Sequence, residues 1–194
     1  MSDLRRCHWC GEDPLYVAYH DEEWGVPVAG SRELFERLVL EGMQAGLSWY
    51  TVLKKRAHMR RRFFAFDPEA LACRGPVALP EWLGDAGLIR HRGKLEALIG
   101  NARAYLDLDG SFASLVWSFV DHAPKQNRWD GSSPVPSETA ESRAMSRALK
   151  AAGFRFVGPT TCYAFMQSAG LVNDHLVGCH RHRICRELGD AWSG

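Results

Sequence analysis

Histidine and cysteine cluster near both ends of this 194-residue chain. His175-Leu176-Val177-Gly178-Cys179 places an imidazole and a thiolate four residues apart, and a helical segment would bring them to one face. Near the other end, Cys7, His8, Cys10 and His20 offer the second half of a tetrahedral metal site. Spacing favours Cys7-x-x-Cys10, which gives Cys3His. Cys7 with His20 gives Cys2His2, and His180, His182 and Cys185 widen the choice further. Either set pins the chain ends together, a structural role for zinc. The competing reading is a chain without metal. Cys73 and Cys162 stand apart and read as small buried hydrophobes.

A second group carries different chemistry. Trp9, Tyr16, Tyr19 and Trp24 lie within one short stretch, and Leu40-Glu41-Gly42-Met43-Gln44-Ala45-Gly46-Leu47-Ser48-Trp49 follows. Glu41 sits on an otherwise apolar helix end, where a carboxylate needs a partner or a task. A glycine-containing turn joins it to Trp49. Indole and phenol walls around one carboxylate suit a flat, electron-poor or cationic ring, held by stacking and cation–π attraction. Core packing is the alternative for each aromatic taken singly.

A third feature is a helix, a short turn carrying Val157-Gly158, and a second helix opening at Pro159. This is a helix–hairpin–helix pattern, spanning roughly 138–170. The first amides of the second helix lack intrahelical partners and, with the positive end of the dipole, suit a phosphate oxygen. Such a contact reads the DNA backbone rather than its sequence. A purely structural helical hairpin would look the same. Lys54-Lys55-Arg56, Arg60-Arg61-Arg62 and Arg90, Arg92 with Lys94 form basic groups that meet phosphates or face water.

The elements that must position these groups are almost all helical. Leu34, Phe35, Leu38, Val39 and Gly42 recur at helical spacing, with Ser31 as the expected N-cap. Trp49 to Phe66 continues the pattern with Val52, Leu53, Met59 and Phe63 inside, and Asp67-Pro68 restarts a short helix. Leu95, Leu98, Ile99, Ala102, Tyr105 and Leu106 mark another helix, and Phe112 to Val120 a shorter one. Ala123 to Pro136 reads as an exposed loop, and Ser137 to Ala152 as a helix stopped by Gly153. No alternating strand pattern of useful length occurs. The expectation is an all-α fold in a single domain.

Composition agrees with a soluble protein: 46% hydrophobic, 24% charged and a net charge of +1. No apolar run reaches membrane-spanning length, and the stretch MSDLRRCHWCGEDP lacks the apolar core of a secretory signal, so a cytoplasmic location is expected. Six cysteines in that compartment favour metal binding over disulfides.

Longer runs resemble one known family. Asp13-Pro14-Leu15-Tyr16, Ala18-Tyr19-His20-Asp21 and Glu23-Trp24-Gly25-Val26-Pro27 are similar to the opening of the 3-methyladenine DNA glycosylase I family. So are Leu40-Glu41-Gly42, Gln44-Ala45-Gly46-Leu47-Ser48-Trp49, Thr51-Val52-Leu53-Lys54-Lys55-Arg56 and Ile89-Arg90-His91-Arg92-Gly93-Lys94. The likeness continues through Ile99-Gly100-Asn101-Ala102-Arg103-Ala104-Tyr105, Phe156-Val157-Gly158 and Gly170-Leu171-Val172-Asn173-Asp174-His175. It runs from Cys7 to Cys179 and omits the tail from His180 and the loop around Trp129.

The resemblance implies a helix–hairpin–helix glycosylase, all-α in two lobes with a base pocket between them. It implies a monofunctional enzyme that hydrolyses the N-glycosidic bond of 3-methyladenine in double-stranded DNA, the first step of base-excision repair, without a small-molecule cofactor. By position Glu41 is similar to the family's pocket carboxylate, Trp49 to its stacking indole, and Tyr16 and Tyr19 to its pocket tyrosines, with Trp9 and Trp24 beside them. Gly46 and Leu47 are similar to the wedge that fills the place of the extruded nucleotide, and Val157 and Gly158 to the hairpin turn. Cys7, His20, His175 and Cys179 match the family's ligands for one structural Zn2+. Against the wider superfamily's Val-Asp-Thr-His pattern, Asn173 stands where an aspartate is usual and Asp174 falls one residue late, so no catalytic aspartate is assigned. A monomer is the default expectation. The other functional classes are a non-catalytic helix–hairpin–helix DNA-binding module and a zinc hydrolase with one ligand position open to water.

Overall fold

The computed structural model describes residues 4–193; residues 1–3 of the N-terminal stretch considered above and residue 194 lie outside it. Side-chain caps set most helix starts. Asp13 accepts from the amides of Leu15 and Tyr16 to open α1 (Pro14–Glu22), and Ser48 accepts from Thr51 to open α3 (Trp49–Arg62). Asp67 opens α4 (Pro68–Gly84), His91 opens α5 (Arg92–Leu106) and Ser111 opens α6 (Phe112–Trp117). Between α1 and α3 lies α2 (Ser31–Gln44), capped at Gly30. Ser31 is therefore the first helical residue and not the cap, and its hydroxyl instead accepts from the amide of Ala113.

Tertiary packing overrode local signals at several boundaries. The helix expected from Trp49 to Phe66 ends at Arg62, because Phe64, Ala65 and Phe66 take left-handed φ values of 52° to 54°. That turn buries Phe63 and Phe66 beside Trp82, with Phe63 and Trp82 rings 4.9 Å apart. The helix after Pro68 is not short. It runs 17 residues through Pro76 and Pro80, held by burial of Leu71, Gly75 and Trp82. A Cβ on Gly75 would sit 2.8 Å from Ile99, so α4 and α5 pack closely there. Cys73, on the same helix, is exposed rather than buried.

Helix α7 (Ala140–Ala151) starts three residues later than expected, where Thr139 and Ser142 form a reciprocal capping box. A turn with Phe156 at φ 58° leads into α8 (Pro159–Ser168), and the two helices pack on each other. Part of the expected loop after Ala123 is a strand: β1 (Lys125–Gln126) pairs in parallel with β2 (Val172–Asn173). The tail forms α9 (His180–Asp190), which packs on both strands. Among the described residues no helix is long and apolar enough to cross a membrane.

Most of the core surrounds α2, whose Leu34, Phe35, Leu38, Val39, Leu40 and Met43 are buried against α3, α5, α6 and α8. A separate cluster of Tyr19, Trp24 and Leu53, flanked by Trp9, Tyr16 and Trp49, lies outside this core and forms the wall of a cavity.

Gly170, at φ 71° after α8, touches the chain between Val26 and Pro27; a Cβ there would lie 2.4 Å from backbone atoms of both. Gly170→Ala is expected to cost on the order of 3 kcal/mol or more in denaturant unfolding. Gly100→Ala, in open space within α5, should stabilise by about 0.5–1 kcal/mol. Equal effects would show that neither backbone nor contact governs these glycines.

Candidate active site

Five parts of the chain meet at a cavity of ≈ 240 Å³. This is smaller than the roughly 300–1,000 Å³ of sites for drug-sized ligands, and it suits one planar heterocycle. Tyr16 and Tyr19 come from α1, Glu41 and Gln44 from α2, and Ala164 and Gln167 from α8. Each pair is spaced i, i+3, which sets both members on one helix face. Trp9, Trp24 and Trp49 add indoles, and Asp174 with Leu176 closes the wall beyond β2. The aromatics brace one another: Trp9 lies 5.3 Å from Tyr16 and 4.9 Å from Trp24, and Tyr19 lies 5.1 Å from Trp49, ring to ring. The indole N–H of Trp49 is buried without a protein partner, a donor left for a ligand.

Two carboxyl groups line this cavity in opposite settings. Glu41 is 5% exposed, and burial pushes its pKa up to about 8, with the Ser168 hydroxyl and Arg37 pulling the other way. Arg37 is itself occupied by Glu33 and by the carbonyls of Glu23 and Ser168. At neutral pH Glu41 is thus largely uncharged. Asp174, 2% exposed, accepts from Asn127 at 2.6 Å, Trp129 at 2.7 Å, Tyr163 at 2.6 Å and Gln167 at 2.8 Å. Four donors thus fill its acceptor sites. Burial and the same carboxylate hold the Tyr163 phenol well above the ordinary range.

Gln44 and Gln167 were not singled out in the sequence, and Asp174 was considered there without being assigned a role. Asn173 turns away from the cavity, donating to Gln126 and to the carbonyl of His182. Successive residues of an extended segment face opposite sides, and that alternation was the available signal for Asp174.

Behind the aromatic wall, Cys7, His20, His175 and Cys179 converge with all four ligand atoms within 4.8 Å of one another. His175 Nδ1 lies 3.6 Å from each sulfur, and His20 Nε2 lies 3.5 Å from Cys179 Sγ. A tetrahedral zinc with ordinary Zn–S and Zn–N bonds has a sulfur–nitrogen edge of about 3.6 Å, so the donor set fits. The outer ring nitrogens are also held: His20 Nδ1 by Asp21 at 2.7 Å, and His175 Nε2 by the Trp24 carbonyl at 3.0 Å. The hydrogen bond between the two thiols drives Cys7 up and Cys179 down, a buried pair that both ionise only beside a cation. Cys10, favoured by spacing, stays outside the group and donates to the carbonyls of Cys7 and Gly11. His175 and Cys179 meet through a turn and not through a helix.

The turn between α2 and α3 presents Leu47 at 42% exposure beside Gly46 at φ 76°. Its base is fixed by Lys94, which is buried and donates to the carbonyls of Met43 and Ala45. Lys94 therefore anchors this turn and is not part of an exposed basic group. Half of the run from Lys54 to Arg62 is paired with acids: Arg56 with Glu23 at 2.6 Å, Arg60 with Glu36 at 2.5 Å, and Arg62 with Glu81 and Asp85. The Val157 side chain is buried in the core, and its carbonyl accepts from Ser146. Gly158, at φ −63°, needs no glycine for its backbone, and a Cβ there would meet nothing in the protein. A groove lined by Glu41, Gln44, Gly46, Leu47, Thr160 and Thr161 joins the protruding turn to the start of α8.

The chain matches the methyladenine glycosylase family over residues 9–182. It is 54% identical over 179 residues to DNA-3-methyladenine glycosylase 1 of Escherichia coli (strain K12), covering 91% of this chain and 96% of that protein. A solved structure of 3-methyladenine DNA glycosylase I superposes with a TM-score of 0.88 at 52% identity, covering 91% of this chain and 98% of the other. The Staphylococcus aureus enzyme, solved to explain 3-methyladenine recognition, gives a TM-score of 0.87 at 36% identity, with 91% and 96% covered. Matched by the family over residues 9–182 and by these relatives over most of its length, the chain belongs to the methyladenine glycosylase family.

Proposed function

We propose that this protein is a monofunctional DNA glycosylase that releases 3-methyladenine from alkylated double-stranded DNA. The observation that carries this reading is Glu41: a buried carboxyl, without a salt-bridge partner among the described residues, facing an aromatic cavity of single-base size. N3-methylation makes adenine a cation and a good leaving group. A cation beside Glu41 draws its proton off, and the carboxylate then accepts from the purine edge while Trp49, Tyr16 and Tyr19 stack on the ring. Ordinary adenine offers no charge to offset the ionisation of Glu41, and selectivity follows.

The reaction balances simply. The bond from the sugar carbon to the base nitrogen breaks, its electron pair leaving with the now neutral base. Water adds its oxygen to the sugar carbon and loses one proton, so an abasic site remains. Asp174 on the same wall is placed to favour the cationic sugar as the bond lengthens. Extrusion of the nucleotide costs a few kcal/mol. Leu47 at the groove edge is placed to enter the vacated stack, and the α7–α8 hairpin, read as a helix–hairpin–helix, offers the Gly158 turn to a backbone phosphate. The two helical lobes are those on either side of the cavity.

Cys7, His20, His175 and Cys179 would hold one zinc, which supplies cross-linking of the chain ends and no reactive water, because four protein ligands close the site. A zinc hydrolase is disfavoured on that ground. The non-catalytic DNA-binding module is the second reading, and it leaves the buried Glu41 without a role.

Glu41→Gln should lower single-turnover release of 3-methyladenine from methylated DNA by about 100-fold or more. An unchanged rate would remove Glu41 from the chemistry, and absence of release from folded wild type would leave the binding module. Stability gives an independent check. Because the folded pKa of Glu41 lies above its unfolded value, wild-type stability should fall relative to Glu41→Gln from about pH 4.5 to about 8, then level off. Parallel curves would show Glu41 to be solvated. Cys179→Ser should lose zinc and thermal stability, while Cys10→Ser keeps one zinc per chain by elemental analysis. Loss of zinc from the Cys10 variant alone would reassign the ligands.

A further inference from the structure

The family match ends at residue 182, inside α9, so most of this helix lies beyond it. The helix is nonetheless firmly docked. His182 Nε2 bonds to the carbonyl of Asn127, the His182 carbonyl accepts from Asn173, and Cys185 is 1% exposed. Together with the segment from Arg128, α9 frames an open cavity of ≈ 460 Å³ lined by Arg128, Val177, Cys179, His180, His182, Arg183 and Arg186. Three guanidinium groups and two imidazoles line it, and no carboxylate does. Arg183 pairs with Glu187 on its own helix, whereas Arg128 and Arg186 are exposed and make no salt bridge among the described residues. Arg56, Arg60 and Arg62, by contrast, are each matched by acids.

Two backbone paths tie this cavity to the base pocket. Asp174 and Leu176 line the pocket, while Val177 and Cys179, the next residues along, line the basic cavity. On the other path Arg128 precedes Trp129, whose indole donates to Asp174 and whose carbonyl accepts from Val177 at 2.8 Å. A duplex seated with one nucleotide in the pocket continues past its mouth on both sides, and its flanking phosphates are a row of anions needing just such donors.

We infer that the cavity between α9 and Arg128 is an accessory phosphate-binding surface for the backbone of the substrate DNA, with Arg128 and Arg186 as its principal donors. This rests on the glycosylase reading only for the identity of the duplex. Phosphate contacts of this kind add affinity and register without sequence preference.

The test measures binding of a fluorescein-labelled duplex carrying an abasic-site analogue, by anisotropy across a salt series, for wild type and the double variant Arg128→Ala with Arg186→Ala. The expected result is about a 10-fold or larger weakening at moderate salt and a salt-dependence slope smaller by about 1 per arginine removed. Binding of free 3-methyladenine, followed by tryptophan fluorescence, should be unchanged. Replacement of both residues by lysine should restore the slope. Unchanged duplex affinity and slope would overturn the inference, as would an alanine variant that loses free-base binding equally, since that reports damage to the pocket. A wild type that binds the duplex with the full slope yet releases no base would defeat the glycosylase reading and leave this surface standing.

Discussion

One wall of the cavity is made by stretches from opposite ends of the chain, and its position depends on their being held together. Residues 7–24 bring Trp9, Tyr16, Tyr19 and Trp24, and residues 174–176 bring Asp174 and Leu176. Cys7, His20, His175 and Cys179 meet between them at tetrahedral spacing, and His175 packs edge-on against Trp24 with rings 4.6 Å apart. The same imidazole thus faces the ligand cluster with one nitrogen and braces an aromatic of the pocket with its ring. Gly170 adds a second clasp by seating its backbone on Val26 and Pro27. Loss of either junction would open the wall without touching a residue that contacts the base.

Within that frame the two carboxyls owe their difference to their neighbours. Glu41 emerges from the buried face of α2, where Arg37 is already engaged, so burial dominates. Asp174 sits at the end of β2, where a loop and α8 each direct two donors at it. The pocket therefore offers one carboxyl whose charge is sensitive to its occupant and one that is tied into a hydrogen-bond network. The two-residue β1–β2 ladder matters here because it carries the chain into Asn127 and Trp129, the donors from the loop.

The sequence disclosed the helical architecture through its apolar spacing and caps, and it named Glu41, the aromatics and four metal-ligand candidates that the fold brings together. Its failures share a physical cause. Ser31 looked like a cap because local chemistry allowed it, but its hydroxyl is used by Ala113, 82 residues away. Lys94 looked like a surface cation, and only the fold shows it folded under the α2–α3 turn. The α4 prolines suggested a short helix until packing on α5 outweighed them. Asp174, one residue late against the superfamily pattern, lines the cavity because the extended segment alternates its faces, while Asn173 turns away. Choice between Cys10 and His20 needed three dimensions, because a spacing rule weighs neighbours in sequence and not convergence in space.

The Lys94 anchor has a consequence for how the protein would search DNA. Its ammonium grips the carbonyls of Met43 and Ala45, so the root of the turn is fixed while Leu47 stays in solvent. A Leu47 acting as the proposed wedge would be presented in advance rather than recruited after contact, with little ordering left for the encounter. Interrogation can then proceed as a series of brief, mechanically similar trials whose outcome is set by how readily each base pair yields. Dwell time, and not the speed of a loop, would separate a damaged position from the many intact ones around it.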